Sequence, residues 1–136
     1  MSYFLAKTDP ETYSIDNLEA DQTTAWDGVK NPQAVRAIRD MRPGDKVFIY
    51  HSGGASAVVG MAKVRSEPRQ DPKDPKSAVA DFEFLRRLDP PTTLAEIKQS
   101  NQFNDWALVR QGRLSTMAAP AHFVEWMRSR YPKAKL

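Results

Sequence analysis

The chain has 136 residues and no cysteine, which excludes disulfides and thiolate metal sites. Its two histidines, His51 and His122, are too few for an imidazole-based zinc site. No apolar run approaches the roughly 20 residues that would span a bilayer. The opening Met1-Ser2-Tyr3-Phe4 lacks the basic start of a signal peptide. No internal repeat or second composition class appears. These absences lead to the expectation of a single domain over residues 1–136. It is expected to have no cofactor, no metal and no membrane partner, and to act as a monomer in the cytoplasm, or in the nucleus of a eukaryotic source.

Hydrophobic residues make up 40% of the chain and charged residues 27%, the balance of an ordinary globular domain. The net charge of +3 is a mild basic excess, and the placement of the cations says more than the sum. Lys30, Arg36, Arg39 and Arg42 follow one tight stretch, and Arg110 and Arg113 flank a second. Such clusters suit phosphate backbones. Arg128, Arg130, Lys133 and Lys135 read more simply as solvated surface.

Taken in order, Tyr3-Phe4-Leu5-Ala6 reads as a short strand, ended by the turn signal Asp9-Pro10. Ser14 caps a helical turn through Leu18. Ala34, Val35, Ile38 and Met41 fall at helical spacing, so 32–41 is an amphipathic helix with Arg36 and Arg39 on its wet side. Lys46 to Ser52 reads as a strand covered on both faces. Val58 to Val64 follows across Gly53-Gly54 as its antiparallel partner. The segment 65–77 has no periodicity and reads as a long loop. Ala80, Phe82 and Phe84 alternate with acids as a half-buried strand that stops at Asp89-Pro90-Pro91. Thr93 and Glu96 form a capping box, Leu114 to Ala118 reads as the last strand, and Pro120 opens a final helix with Phe123, Trp126, Met127 and Tyr131 inward. The order predicts an α+β fold with an antiparallel, barrel-like sheet.

Trp26-Asp27-Gly28-Val29-Lys30-Asn31 gathers unlike signals. Trp26 offers a flat surface beside a turn, and Gly28 takes a positive φ at little cost. Asn31 is a good N-cap, with Pro32 suited to the first helical position. The helix N-terminus, with Lys30 beside it, favours an anion or a carbonyl. Taken alone, a Trp-Asp-Gly is read as a core tryptophan before a helix.

Lys7-Thr8-Asp9-Pro10, the Trp26–Asn31 stretch, Gly44-Asp45, Tyr50-His51-Ser52, Val59-Gly60-Met61-Ala62 and 108–115 (Leu-Val-Arg-Gln-Gly-Arg-Leu-Ser) occur in the order seen in EVE domains. The chain resembles that family over essentially its whole length. The resemblance implies the PUA-like fold, a small open antiparallel or mixed β-barrel with flanking helices, shared with YTH, ASCH and PUA domains. It also implies nucleic acid, DNA or RNA, as the partner, with a modified base such as a methylated cytosine or adenine held in an aromatic-lined pocket. Carried onto this sequence, the pocket takes Thr8, Trp26, Asn31, Tyr50, His51, Ser52, Leu108, Val109 and Arg110.

The chemistry of these residue types agrees. Reading one base needs a π-face, hydrogen-bonding groups for its polar edge, and cations for phosphate. Trp26 supplies the face, Asn31, Ser52 and His51 the polar groups, and Lys30, Arg36, Arg39 and Arg113 the cations. Tyr50 within an apolar strand also reads as core, and Arg113 also reads as a partner for an acid. Four functions follow from the sequence. The first is a non-enzymatic reader of a modified base. The second is a small hydrolase of an acylated nucleoside like ASCH relatives, with Lys7 as base and Thr8 as nucleophile. The third is a binder of a free nucleoside-like molecule, and the fourth a protein-interaction domain.

Overall fold

A computed structural model describes all residues, Met1–Leu136. The chain runs β1 (Tyr3–Thr8), α1 (Ile15–Asp21), β2 (Thr23–Trp26), α2 (Pro32–Asp40), β3 (Lys46–His51) and β4 (Ala57–Val64). It continues through β5 (Arg69–Asp71), β6 (Asp74–Thr93), α3 (Leu94–Gln99), α4 (Ala107–Arg110), β7 (Thr116–Ala118) and α5 (Ala121–Arg130). Six strands lie in the order β2-β6-β4-β3-β1-β7, and β5 pairs with β6 off this path. The sheet is mixed and open. Helix α2 touches both β6 and β7, so the sheet curls until its two flanks approach one helix. No helix is long and apolar enough to cross a membrane.

Strand β3 sits near the centre because its sequence allows nothing else. Val47, Phe48, Ile49 and Tyr50 are all buried, as a strand covered on both faces requires. Phe48 meets Phe123 of α5 at 5.2 Å between ring centroids. Phe123 packs in turn on Trp106 and Phe103. Helix α2 starts where Asn31 Oδ1 accepts the N–H groups of Gln33 and Ala34 (2.8 and 3.3 Å), with Pro32 at its first turn. It buries Val35 and Ile38, as its spacing predicted, and ends one residue early at Asp40, with the buried Met41 as its extended C-cap. Gly60 of β4 has a different reason to be small. A Cβ there would stand 2.6 Å from Ile15 Cδ1 of α1 and 2.9 Å from the Arg86 carbonyl oxygen. The missing side chain lets α1 lie against the sheet.

The structure corrects several sequence expectations. β1 and β3 are parallel, with Thr8 opposite His51, so the antiparallel expectation fails for that pair. The chain between them, through α1, β2 and α2, returns to the same sheet end before β3 begins. The expected loop at 65–77 holds a hairpin, with Asp71 paired to Asp74. Its turn, Asp71-Pro72-Lys73-Asp74, carries an acid and a proline at the positions a tight turn favours, and Asp71 Oδ1 accepts the Lys73 N–H at 2.8 Å. Strand β6 does not end at Asp89. It passes through a break in register with β4, between Val58 and Gly60, and pairs Thr92 with Val58. Prolines are tolerated at such irregularities because no ladder N–H is required of them. Strand β2 and the short helix α4 were not anticipated, and the last strand is shorter than 114–118. In α5, Phe123, Val124 and Met127 are buried, while Trp126 is only half-buried.

Candidate functional site

Parallel pairing puts the C-terminal ends of β1 and β3 side by side, and the candidate site is built around them. The Ser52 N–H donates to the Thr8 carbonyl at 3.0 Å, extending the pairing one residue past the strands. Two concavities flank this junction. On one side, Thr8, Thr12, Tyr13, Thr24, Ala25, Trp26 and Asp27 line a hollow of about 280 Å³. On the other, a groove of about 610 Å³ is lined by residues that include Asp9, Glu11, His51, Ser52, Gly53 and Gly54.

The hollow owes its aromatic wall to β2. Trp26 pairs with Ala80 of β6 and lays one ring face on Phe82, at 4.9 Å and 23°. Tyr13 meets it edge-on at 6.2 Å. Only 8% of Trp26 is exposed, so it is a core residue with one side on the hollow. Thr24 lies two residues before Trp26 on the same strand, and therefore on the same face. Asp27 is exposed at the rim. The Thr8 hydroxyl donates to the Tyr13 carbonyl at 2.6 Å, and the Tyr13 hydroxyl donates to Asp21 Oδ2 at 2.8 Å. Tyr13 is thus held from both ends.

In the groove, His51 Nε2 accepts the Ile15 N–H at 3.0 Å. A neutral imidazole that accepts at Nε2 carries its proton at Nδ1. Burial pushes the His51 pKa down from the ordinary 6.5, helped by the Arg87 charge and opposed by Asp16.

A third feature lies beyond β1 from the groove. Lys7 Nζ donates to the Gly112 carbonyl at 3.0 Å and stands 5.5 Å from the Tyr50 ring centroid. Burial lowers its pKa, as burial of the Tyr50 phenol raises that one. Lys7 therefore ties the turn after α4 to the end of β1.

The residues picked from the sequence separate accordingly. Thr8 and Trp26 meet at the hollow, and His51 and Ser52 at the groove. Tyr50 and Leu108 are in the core, and Val109 packs on it. Asn31 spends its side-chain oxygen on the cap of α2. Arg110 pairs with Asp105 at 3.0 Å, and Lys30 with Asp74 at 3.4 Å, in both cases at the surface. Arg36, Arg39 and Arg113 are exposed and belong to no ion pair. Sequence reasoning missed Thr12, Tyr13, Thr24 and Asp27 as lining residues. Reading Thr23–Trp26 as a strand would have placed Thr24 beside Trp26, whereas nothing in the sequence brings Tyr13 there.

Comparisons with known proteins cover most of the chain. A profile of the EVE domain family matches residues 2–130. Human thymocyte nuclear protein 1 is 32% identical over 129 residues, covering 74% of this chain and 57% of that protein. The chain thus spans little more than half the length of such curated relatives. The solution structure of a Rhodopseudomonas palustris protein matches with a TM-score of 0.86 at 33% identity, over 93% of this chain and 90% of that one. The crystal structure of the human THYN1 protein in complex with DNA containing 5-methylcytosine matches with a TM-score of 0.88 at 27% identity, over 98% of this chain and 99% of that one.

Proposed function

This chain belongs to the EVE domain family, and from that premise we propose that it is a non-enzymatic reader of a modified base in DNA, 5-methylcytosine being the first candidate. The observation that carries the proposal is the hollow at Trp26. It combines an aromatic wall, three threonine hydroxyls and a rim carboxylate in the space a single flipped base needs. Stacking on an aromatic side chain is worth about 1–3 kcal/mol per base, which offsets the few kcal/mol needed to unstack it. Asp27 at the rim is suited to accept from the exocyclic amine of cytosine, the pairing that carboxylates make with that base. Thr8 and Trp26 are then the base contacts. His51, Ser52, Tyr50, Asn31 and the 108–110 segment frame them. Exposed Lys30, Arg36, Arg39 and Arg113 serve the phosphates.

The hydrolase reading meets a geometric obstacle. Lys7 points to the Gly112 carbonyl while the Thr8 hydroxyl proton goes to the Tyr13 carbonyl. Lys7 is therefore not the base for Thr8, and His51, opposite Thr8, spends its Nε2 lone pair on the Ile15 N–H, whereas a threonine nucleophile needs a free base.

The test is the affinity of the protein for two oligonucleotide duplexes that differ only in one 5-methylcytosine, at fixed salt. The methylated duplex binds more tightly, and Asp27→Ala weakens its binding without lowering the melting temperature, because Asp27 is exposed. Equal binding of the two duplexes by the parent protein rules the reading out. Loss of a phosphate contact at Arg36, Arg39 or Arg113 would instead weaken both duplexes alike and flatten the salt dependence by about 0.9 of a unit of slope each.

A further inference from the structure

His51 reaches 36 residues back along the chain to bond the Ile15 N–H, the first donor of α1. Two further donors there are satisfied locally. Ser14 Oγ accepts the Asn17 N–H, and Asn17 Oδ1 accepts the Ser14 N–H. The residue just before this cap is Tyr13, the edge-on wall of the hollow. Two neighbouring strand ends thus hold the residues on either side of Ser14. Thr8 on β1 holds the Tyr13 carbonyl, and His51 on β3, directly opposite Thr8, holds the Ile15 amide.

We propose that His51 is a positioning residue for the base: its neutral imidazole pins the start of α1, and so fixes Tyr13 against Trp26 and sets the affinity of the hollow. The inference rests on the reader assignment for the identity of the ligand and extends it to a residue outside the hollow. A protonated imidazole has no lone pair left for the Ile15 N–H. Adding the proton therefore removes this hydrogen bond from the helix start.

The groups around the ring set the pH at which this happens. Asp16 of α1 favours the imidazolium and Arg87 of β6 opposes it. Arg87 is itself bonded to Asp16 and Glu19, which mutes both charges. Asp9 and Glu11 share the groove with the ring and add their negative charge. Burial is the largest influence and acts against the proton, so release occurs below the ordinary 6.5. This direction is unusual for a DNA-binding surface, whose phosphate contacts strengthen as a protein gains positive charge.

The experiment follows two readouts from pH 7.5 to 5.5, using the full chain, its His51→Gln and His51→Ala variants, and the 5-methylcytosine duplex as probe. The first is the amide shift of Ile15 in the free protein, by NMR. The second is the dissociation constant at fixed salt. In the parent protein the Ile15 amide titrates with a midpoint below the ordinary histidine value, and affinity falls about tenfold over the same range. His51→Gln, whose side-chain oxygen accepts the same N–H but takes no proton, binds within about threefold of the parent at pH 7.5 and loses the acid fall. His51→Ala binds about tenfold more weakly throughout, and its Ile15 amide exchanges quickly. Acid loss that persists in His51→Gln, or His51→Ala binding as the parent does, overturns the proposal. So does an Ile15 amide that ignores pH. A parent protein that does not distinguish the methylated duplex, yet whose Ile15 amide titrates, supports the latch and overturns only the identity of the ligand.

Discussion

Trp26 has two roles that a single substitution confuses, and a pair of substitutions separates them. It is 8% exposed and stacked on Phe82 at 4.9 Å. Replacing it with alanine removes a core aromatic, a change that costs about 3–5 kcal/mol in stability. Of this, about 0.5–1.5 kcal/mol belongs to the aromatic pair itself. Against a typical total stability of about 5–15 kcal/mol, Trp26→Ala therefore consumes about a fifth of the reserve or more. Binding measured on that variant reports partly on unfolding. Trp26→Phe keeps a ring on Phe82 and retains most of the packing, but it withdraws the outer part of the indole from the hollow. The expected outcome is a urea midpoint lowered modestly with an unchanged slope, while affinity for the 5-methylcytosine duplex falls about tenfold. Affinity for the unmodified duplex should change little, since that strand is held by phosphate contacts. The assay pairs urea denaturation with fluorescence anisotropy at fixed salt. If Trp26→Phe binds the methylated duplex as the parent does, the indole faces only the core and the base is held elsewhere.

Two more predictions concern the scaffold. Gly60→Ala places a methyl group against Ile15 Cδ1 and the Arg86 carbonyl oxygen; the side chain can turn aside but the backbone oxygen cannot, so we expect a loss of about 1–3 kcal/mol in urea titration, and a variant as stable as the parent would show that α1 is not seated there. Glu96 is held below the ordinary carboxylate range first by the Thr93 N–H and then by Arg130. A carboxylate depressed in the folded state contributes stability above its ordinary 4.5 that is lost as pH falls through the lower folded value; the urea midpoint should decline across that window, and Glu96→Gln should flatten the decline.

Much of the fold was legible because local chemistry decided it. Asn31 and Pro32 announce α2, and the spacing of Val35, Ile38 and Met41 assigns its buried face. The run at 47–50 could only be a strand covered on both sides. Pairing partners were not legible, because periodicity names a face and not a neighbour. Nothing in Tyr3–Thr8 says that it runs parallel to β3, and the hairpin at Asp71–Asp74 hides in a polar stretch without alternation, where even Asp71 is buried. The site divides in the same way. Trp26 and Thr8 stand out by residue type and motif. That His51 bonds the Ile15 amide rather than facing the hollow depends on the β1–β3 pairing, which only the folded chain reveals. Tyr50 and Leu108 were picked beside true surface residues because a motif does not record depth.

The place of β1 in the sheet has a consequence for how the protein is made. Phe4 pairs with Val47 on one side and with Ala118 on the other, and Phe4, Leu5 and Ala6 are buried. During synthesis at about 5–20 residues per second, this apolar strand leaves the ribosome well before either neighbour exists. Its second neighbour follows on the order of ten seconds later. Pairings between segments so distant in the chain are slow to close, and an unpaired apolar strand is a site of wrong association meanwhile. Lys7, two residues beyond Leu5, then acts as a gatekeeper charge on the nascent chain, before it comes to rest over Tyr50.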